Sequence, residues 1–565
     1  MSGGTASYTV ETIKTTPFEG QKPGTSGLRK AVTVFQQPHY TENFVQAGLW
    51  AGLGDKLPGS VLLVGGDGRF FCEEAAQAII KIAAANGVSK IVIGQKAIVS
   101  TPACSHIIRK RKLSGGFLLT ASHNPGGPNG DFGIKYNTDN GGPAPESVTN
   151  KLYEFTKTIK EYKIVSNLKV DIGKLGTSKF SINGAEFVVE VIDNTADYVE
   201  FMKQIFDFPT IKSFLQTKRV LLNAMHGVTG PYLRKIFVEE MGLPSESCLN
   251  CDILPDFGGH HPDPNLTYAK DLVDIVSAGN HDFAAAFDGD GDRNMILGHR
   301  AFFVTPCDSL AVLAANLESI PYFKQHGVKG FARSMPTSEA VDKVAHHLGK
   351  ECYQTPTGWK FFGNLMDADK ISLCGEESFG TGSTHIREKD GIWAALAWLS
   401  VLASTKKTVK DVLLDHWKTY GRNFFTRYDY ENVSSEAGEK LMAGLEELIK
   451  NPKSKGMTLS APSGQSYKVA LVDDFEYKDP IDGSISKNQG IRVLFEGGSR
   501  LIFRLSGTGS SGATIRVYVE EYLKSDNPST YEQDAQEVLR PLVTIALQVS
   551  KLKELTGRDA PTVIT

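Results

Sequence analysis

Residues 119–137, LTASHNPGGPNGDFGIKYN, place Ser122 and His123 side by side at the end of an apolar run. Proline, glycine and asparagine dominate the residues that follow, which is typical of a loop. Three roles are open for Ser122: the nucleophile of a hydrolase, a serine that carries a phosphoryl group, or a residue of an ordinary turn. Each role requires different partner residues elsewhere in the chain.

A second stretch, DGDGDR at residues 288–293, alternates aspartates with glycines. On an extended strand Asp288 and Asp292 would lie about 13 Å apart, and on a helix Asp290 would point away from both. The intervening glycines allow the chain to curl so that the three carboxylates converge. Two carboxylates about 4 Å apart repel by roughly 4 kcal/mol at an effective dielectric near 20, so convergence requires a cation. Because oxygen ligands favour a hard ion, we predict a Mg²⁺ site.

The alternatives to magnesium in the aspartate loop are a calcium loop and a solvated acidic turn. An EF-hand that starts at Asp288 needs glycine at its sixth position and glutamate at its twelfth, where this chain has Arg293 and His299. The EF-hand is therefore excluded, whereas the acidic turn stays open. Mg²⁺ usually keeps coordination positions for phosphate oxygens, and a phosphorylated Ser122 would offer them. The aspartate loop and Ser122 are thus candidates for one site.

A third stretch, GTGSSG at residues 507–512, matches the glycine spacing of a dinucleotide-binding loop. That loop precedes a helix, whereas ATIRVYVEE follows here with the alternation of a strand, so we reject a dinucleotide site. Arg504 and Arg516 flank the stretch, and Ser506 and Thr508 add hydroxyl groups. Backbone N–H groups, hydroxyls and forked guanidinium groups favour a phosphate-binding loop over a flexible turn.

The residues around Ser122 favour a phosphoryl carrier over a hydrolase. A nucleophile elbow needs glycine two residues before and two residues after the serine, where this chain has Thr120 and Asn124. We also expect His123 to be a poor base for Ser122, because neighbouring side chains on an extended chain point in opposite directions. A phosphoryl carrier explains the serine, the aspartate loop and the phosphate-binding loop together.

Short apolar runs that alternate with helical patterns predict the elements that position these loops. VLLVGG at residues 61–66 is typical of a strand, and residues 73–87 have a helical pattern that ends at Asn-Gly. The scheme recurs, which indicates α/β units with partly parallel sheets and an internal repeat. Residues 490–520 predict a hairpin with further strands, and a helix near residues 531–555 completes an α+β unit. We expect four domains, at residues 1–194, 195–310, 311–421 and 422–565.

A fourth loop, GEESFG at residues 375–380, follows the apolar run ISLC. Its Glu376 and Ser378 are candidates for binding the hydroxyl groups of a sugar. In open α/β sheets, ligands bind beyond the carboxyl ends of the strands. One such loop in each expected domain therefore predicts a cleft in which all four loops meet.

Composition argues against several classes of protein. Lys and Arg number 61 and Asp and Glu 64 among 565 residues, which argues against nucleic acid or an anionic membrane as the main ligand. The best candidate for a membrane span, residues 391–403, has only 13 residues and predicts a buried helix. Because the first residues lack the apolar core of a signal peptide and the seven cysteines are scattered, we expect a cytoplasmic protein with reduced thiols.

Eight motifs together resemble the α-D-phosphohexomutase superfamily, in its eukaryotic glucose-phosphate branch. They are QKPGTSGLRK (21–30), GGDGR (65–69), TASHNPGGPNGDFGIKYN (120–137), FGGHHPDPNLTYA (257–269), DGDGDR (288–293), TPTGWK (355–360), GEESFG (375–380) and RLSGTGSSGATIR (504–516). The mannose-handling branch usually has Gly-Glu-Met-Ser-Gly in the sugar loop, so GEESFG favours glucose.

The resemblance implies four domains around a deep cleft, three of them similar α/β domains with mixed sheets and the last a smaller α+β domain. It implies that Ser122 is the phosphoserine and that an oxygen of this group joins Asp288, Asp290 and Asp292 in holding Mg²⁺. His123 and Lys135 are the candidates for the acid/base role, between which the sequence does not decide.

The remaining site residues also follow from the resemblance. Two residues match the sugar-hydroxyl loop: Glu376 and Ser378. Four match the distal phosphate site: Arg504, Ser506, Thr508 and Arg516. Five match cleft positions that contact phosphate or sugar: Arg29, Lys135, Arg293, Thr357 and Lys389.

The implied reaction is the reversible interconversion of α-D-glucose 1-phosphate and glucose 6-phosphate. Phosphorylated Ser122 donates to the free hydroxyl of either sugar phosphate, and the resulting glucose 1,6-bisphosphate turns around in the cleft. Mg²⁺ and a glucose 1,6-bisphosphate primer are the expected cofactors, hexose phosphates the expected partners, and a monomer the expected state. The alternatives are a mutase for mannose or N-acetylglucosamine phosphates, and a non-catalytic relative that acts as a scaffold or secretion-associated phosphoprotein.

Overall fold

Three mixed sheets and one large antiparallel sheet form the framework of the chain, in a computed structural model that describes residues 8–509 and 512–565. The side chains of residues 507–509 are outside this description. No helix in the described ranges combines the length and the apolarity that a membrane span requires.

The first domain has a seven-stranded mixed sheet. In order across the sheet its strands are Leu28–Ala31, Asp131–Thr138, Gly115–Leu119, Val61–Gly66, Lys90–Ile98, Ala185–Ile192 and Gly176–Ile182. Its helices are Val32–Phe35, Tyr40–Leu53, Gly54–Lys56, Cys72–Ala85, Thr101–Arg111 and Glu146–Thr158, and Glu11–Lys14 pairs with Glu161–Ile164 in a separate ribbon. The strand predicted at residues 61–66 is confirmed. The predicted helix is Cys72–Ala85 and ends before Gly87, whose φ of +83° suits glycine.

The second domain has a five-stranded mixed sheet. Its strands in spatial order are Cys248–Leu249, Val220–Asn223, Phe283–Phe287, Asn294–Gly298 and Phe302–Val304. Its helices are Ala196–Ile205, Phe208–Leu215, Thr229–Leu233 and Lys270–Ser277, with a π-helical turn at Arg234–Glu240 and 3₁₀ turns at Ser245–Ser247, Phe257–Gly259 and His299–Ala301.

The third domain has a four-stranded mixed sheet. Its strands in spatial order are Cys352–Thr355, Phe331–Ser334, Leu373–Glu376 and Gly380–Ser383. Its helices are Pro306–Ala315, Leu317–Ser319, Pro321–His326, Ala340–Leu348, Trp359–Asp367, Gly391–Thr405 and Val409–Tyr420. Helix Gly391–Thr405 is the buried helix predicted from its apolar run. Trp393 and Trp398 on this helix pack in a core that also contains residues of the first two domains, which joins the three domains through one apolar cluster.

The fourth domain has an antiparallel sheet of seven strands. In spatial order they are Thr458–Ser460, Ser466–Asp474, Ile491–Phe495, Arg500–Gly509, Gly512–Leu523, Arg422–Val433 and Val563–Ile564, and Tyr477–Lys478 pairs separately with Ile485–Ser486. Its helices are Ser435–Lys450, Pro528–Glu532, Ala535–Ser550 and Leu552–Thr556. The predicted α+β character of this part is confirmed.

The same strand arrangement recurs in the first three sheets and places their loops equivalently. In each sheet a strand that is parallel to one neighbour is followed by an antiparallel partner: Gly115–Leu119 by Asp131–Thr138, Phe283–Phe287 by Asn294–Gly298, and Leu373–Glu376 by Gly380–Ser383. The loop that contains Ser122, residues 120–130, is called the serine loop and connects the first pair. The aspartate loop connects the second pair, and the sugar loop GEESFG connects the third. Each chemical loop therefore leaves the carboxyl end of a strand at the same point of its sheet.

Candidate active site

Ser122 lies at the start of the loop between strands Gly115–Leu119 and Asp131–Thr138 and is buried. Its φ of +53° is in the left-handed region, which a residue other than glycine adopts only when its surroundings hold it there. The backbone N–H of Ser122 donates to Thr120 Oγ1 at 2.8 Å, which contributes to this turn.

The GGDGR motif supplies the residue that holds the serine loop. Arg69 donates to the carbonyl oxygen of Ser122 at 2.7 Å and to that of Asp131 at 3.0 Å, so it ties together the two ends of the loop. Asp67 accepts from Arg69 Nε at 2.9 Å and from Thr120 Oγ1 at 2.6 Å. Because Arg69 and Asp67 are fully buried as a pair, they fix the loop without contact with solvent.

The expected geometry of His123 is wrong. His123 Nδ1 lies 3.3 Å from Ser122 Oγ, because the left-handed turn at Ser122 brings the two neighbouring side chains to the same side. The argument from an extended chain therefore does not apply. Burial, reinforced by the nearby charge of Arg293, lowers the pKa of His123 well below its usual range, so the imidazole is neutral at pH 7.

The three carboxylates of the aspartate loop converge at buried positions. One oxygen from each of Asp288, Asp290 and Asp292 lies within 4.8 Å of the others. Gly291 has a φ of +79°, and a Cβ at Gly289 would meet the carbonyl oxygen of Ser122 at 2.6 Å. Gly291 allows the chain to curl, and Gly289 allows the loop to approach the serine. As a result, Ser122 Oγ donates to Asp288 Oδ2 at 2.9 Å.

The donor set of the aspartate loop fits a divalent cation. Asp290 Oδ1 and Asp292 Oδ1 are buried without a hydrogen-bond partner, although buried carboxylate oxygens normally have one. Burial and the neighbouring carboxylates raise the pKa of Asp288 well above its usual range, and burial raises that of Asp290. Three converging carboxylates offer negatively charged oxygen ligands, which suit Mg²⁺.

Cationic side chains surround the serine and the aspartates. Lys389 Nζ lies 3.3 Å from Asp292 Oδ2, and Arg293 Nη1 lies 3.8 Å from Asp263 Oδ1. Lys135 forms a buried ion pair with Glu388. The charges of the predicted Lys389, Arg293 and Lys135 all act to lower the pKa of Asp292.

The sugar loop faces the same space. Glu376 Oε1 accepts from the backbone N–H of Gly358 at 3.0 Å, and burial raises the pKa of Glu376. This bond joins the sugar loop to the TPTGWK stretch, in which the buried Oγ1 of Thr357 has no hydrogen-bond partner. Glu376, Thr357 and Ser378 all line the central cavity.

The fourth domain closes the cavity with two arginines of the phosphate-binding stretch. Arg504 lies on strand Arg500–Gly509 and Arg516 on strand Gly512–Leu523, and both line the cavity. The two arginines face each other in the antiparallel register, which places their guanidinium groups on the same side of the sheet. Ser506 is on the first of these strands. Thr508 is among the residues whose side chains lie outside the description.

These loops enclose a cavity of about 580 Å³ that residues of all four domains line. Eleven of the predicted side chains line or adjoin it: Arg29, His123, Lys135, Asp292, Arg293, Thr357, Glu376, Ser378, Lys389, Arg504 and Arg516. Asp288 contacts Ser122 behind this lining, and Asp290 accepts from Thr101 at 2.7 Å.

The sequence analysis missed several charged residues of the cavity, among them a pair on one strand of the fourth domain. Arg427 and Asp429 lie on strand Arg422–Val433, where residues two apart share a face. Arg427 donates to Asp429 at 2.9 Å and lies 3.6 Å from Glu377 Oε1 of the sugar loop, and Asp429 lies 3.8 Å from Arg516. The alternation of opposite charges in RYD was the available signal, but it is common on exposed strands.

Family models match four consecutive parts of the chain. They are described as phosphoglucomutase/phosphomannomutase, alpha/beta/alpha domain I at residues 20–163, domain II at 196–300 and domain III at 306–420, and as phosphoglucomutase-1, C-terminal domain at 422–562. The chain belongs to the phosphoglucomutase/phosphomannomutase family. The fold class expected from the sequence, three α/β domains followed by a different C-terminal domain, is thereby confirmed.

Curated relatives match this family member over their whole length. Phosphoglucomutase 1 of Drosophila melanogaster is 58% identical over 99% of this chain and 100% of the relative, and phosphoglucomutase-1 of Homo sapiens is 58% identical over 98% and 100%. Among solved structures, the Paramecium exocytosis-sensitive phosphoprotein parafusin, also described as a phosphoglucomutase and captured in an open form, has a TM-score of 0.89 at 47% identity. That match covers 99% of this chain and 100% of the Paramecium chain.

Proposed function

We propose that the protein interconverts α-D-glucose 1-phosphate and glucose 6-phosphate through a phosphorylated Ser122 and glucose 1,6-bisphosphate. One observation carries this proposal: Ser122 Oγ lies 2.9 Å from Asp288 inside a carboxylate triplet, at the edge of a cavity lined by arginines from separate domains. The relatives named phosphoglucomutase match along the whole chain and support this choice over a non-catalytic scaffold.

The chain's own residues supply the binding and orientation that the reaction requires. Asp288, Asp290 and Asp292 would hold Mg²⁺, which when bound would neutralise charge on the phosphoryl group. Arg69 fixes the backbone of Ser122 through its carbonyl oxygen, so the hydroxyl stays beside Asp288. Burial of Ser122 keeps water away from the phosphorylated serine.

His123 and Lys135 are placed for opposite directions of proton transfer. The neutral imidazole of His123 has a lone pair to accept the proton of a sugar hydroxyl, and it lines the cavity beside Ser122. Lys135 pairs with Glu388 and is suited, as an ammonium group, to returning a proton to an oxygen. Since the transfer is reversible and occurs in two halves, both functions are needed.

The distal end of the cavity supports the required turning of the bisphosphate. Arg504 and Arg516 line the cavity from the fourth domain, and Glu376 and Ser378 line it from the third. A phosphate held at the arginines leaves the hydroxyl at the other end of the sugar near Ser122. Because one set of hydroxyl-binding groups must serve both orientations, Glu376 and Ser378 are proposed to contact hydroxyls shared by the two sugar phosphates.

The function is tested by measuring glucose 6-phosphate formation from glucose 1-phosphate, with Mg²⁺ and a trace of glucose 1,6-bisphosphate. Intact mass of the protein after incubation with the bisphosphate should show one added phosphoryl group, located at Ser122 by peptide mapping. Ser122→Ala should lose turnover by at least about a thousandfold and should not take up the phosphoryl group. A Ser122→Ala variant with wild-type turnover would show that another group carries the phosphoryl.

Comparison of kcat/KM among glucose, mannose and N-acetylglucosamine 1-phosphates decides the sugar, because specificity is expressed in that ratio. Relatives from Arabidopsis thaliana and Pisum sativum are named cytoplasmic phosphoglucomutases, which supports a cytoplasmic location.

A further inference from the structure

A chain of hydrogen bonds behind the cavity joins Ser383, His385, Asp390 and Tyr198. Ser383 Oγ lies 2.6 Å from His385 Nδ1, and His385 Nε2 lies 2.8 Å from Asp390 Oδ2. Tyr198 donates its hydroxyl to Asp390 Oδ1 at 2.6 Å. The four side chains are buried, and the residues that line the cavity include none of them. The arrangement thus has the order of a serine–histidine–aspartate triad without access to a substrate.

The partners of His385 define its protonation. The carboxylate of Asp390 accepts from Tyr198 and from the N–H of Trp393, and we assign His385 Nε2 as the donor to its other oxygen. Burial lowers the pKa of His385, which keeps the ring neutral and leaves Nδ1 to accept from Ser383. The ring is stacked on Trp393, with centroids 5.3 Å apart. His385 is therefore held in one orientation and presents one donor to Asp390.

Asp390 is the point at which this hydrogen-bond chain meets the site. It caps helix Gly391–Thr405 by accepting from the backbone N–H of Trp393 at 3.1 Å. The residue before it, Lys389, places Nζ 3.3 Å from Asp292. The residue after it, Gly391, donates its N–H to the carbonyl oxygen of Gly291 in the aspartate loop at 3.1 Å. Both neighbours of Asp390 thus contact the aspartate loop.

Close packing makes the position of Lys389 depend on this backbone. A Cβ at Gly380 would lie 2.4 Å from Cδ of Lys389, and a Cβ at Gly391 would lie 2.3 Å from the carbonyl oxygen of Arg293. Lys389 therefore crosses the sugar-loop hairpin with no spare space, and a small rotation of the backbone at Asp390 would move its ammonium group.

We propose that His385 is a positioning residue that, through Asp390, holds Lys389 against the aspartate loop for phosphoryl transfer. The inference rests on the proposed function. His385 itself touches neither substrate nor metal ligands, so its contribution should disappear when Lys389 is absent.

The test is a double-mutant cycle measured as mutase activity. His385→Phe keeps a flat ring beside Trp393 and removes both hydrogen bonds, and it should lower kcat by about 10- to 100-fold, since displacements near 1 Å cost about this much. In a Lys389→Met background the same change should lower kcat by less than twofold, because the residue through which it acts is gone. An equal factor in both backgrounds would overturn the proposal and indicate a general loss of folded enzyme.

Two further variants separate positioning from folding. His385→Gln has an amide N–H near the position of Nε2, and it should recover at least threefold of the kcat lost in His385→Phe; no recovery contradicts the proposed donor role. His416→Phe is the matched control, because His416 is another buried histidine of the third domain, and its kcat should stay within twofold of wild type.

If His385→Phe does not fold, Tyr198→Phe carries the same comparison. It removes one hydroxyl from Asp390 and should lower kcat by about 3- to 10-fold in the wild-type background and by less than twofold with Lys389→Met. A wild-type protein without mutase activity would overturn the proposed function and this inference together. An active wild type with an unimpaired His385→Phe variant would overturn the inference alone.

Discussion

Removal of one charge from the aspartate loop should stabilise the metal-free protein and abolish its response to magnesium. Asp290→Asn is the variant of choice, because its amide oxygen can still accept from Thr101, while its amide nitrogen would take the place of the unpartnered Oδ1. The nitrogen can donate to the two remaining carboxylates, which converts a repulsion into hydrogen bonds.

The magnitude follows from the distances in the loop. Carboxylate oxygens within 4.8 Å of one another repel by about 3.5 kcal/mol for each pair of full charges at an effective dielectric near 20. Burial raises the pKa of Asp288 and of Asp290, and a proton taken up by either one removes part of this repulsion. We therefore expect Asp290→Asn to gain about 2 kcal/mol in chelator, which for a chain of 565 residues corresponds to a rise in Tm of about 2 °C.

Scanning calorimetry in EDTA and in Mg²⁺ provides the assay. Wild type should gain stability with Mg²⁺, by about 2.7 kcal/mol at a hundredfold excess over Kd, whereas Asp290→Asn should gain little. Asp274→Asn serves as the control, since Asp274 is an exposed partner of Lys270 and its removal should cost less than about 0.5 kcal/mol in both buffers. An Asp290→Asn variant that melts below wild type in EDTA would refute the claim that the free carboxylates destabilise the fold.

Three further outcomes are expected. Arg427→Gln should raise KM for glucose 1-phosphate by about tenfold through loss of a cavity cation, measured by steady-state kinetics, whereas Arg492→Gln, which removes a pair with Asp473 outside the cavity, should leave KM within twofold. Because burial lowers the pKa of His416 to about 3, the unfolded chain binds this proton between about pH 3 and 6.5 and the folded chain does not. Stability should thus fall by about 2 kcal/mol between pH 7 and pH 5 on account of this group, and urea titrations should show that His416→Phe lacks this part. Arg69→Met should destabilise the protein by about 3–5 kcal/mol by leaving Asp67 buried without its partner, and a smaller loss on adding Asp67→Asn would support that cause in thermal melts.

The strands and the chemical loops could be predicted because local pattern determines them. The apolar run at residues 61–66 and the helical period before Gly87 are visible without any partner, and the alternation of aspartate with glycine has few uses other than convergence. The fold class followed from the recurrence of these patterns.

Features that depend on distant partners could not be predicted from the sequence. The side chains of Ser122 and His123 meet because Arg69 and the aspartate loop hold a left-handed turn, and no local pattern reveals that turn. Whether Arg427 lines the cavity depends on which face of its strand meets the third domain. The pairing of His385 with Asp390 is local, but its proximity to the aspartate loop becomes visible only when two domains are packed together.

Carboxylates and cationic side chains line the central cavity in nearly equal number, and this balance has a consequence for ligand entry. The long-range attraction that a purely basic cleft exerts on phosphate esters is largely cancelled here, so association rates should respond only weakly to ionic strength. An arriving phosphate must instead displace the carboxylate neighbours of arginines such as Arg427 and Arg516. Small inorganic anions gain little from that exchange, whereas a sugar phosphate adds the bonds of its hydroxyls, so we expect the cavity to bind sugar phosphates in preference to inorganic anions.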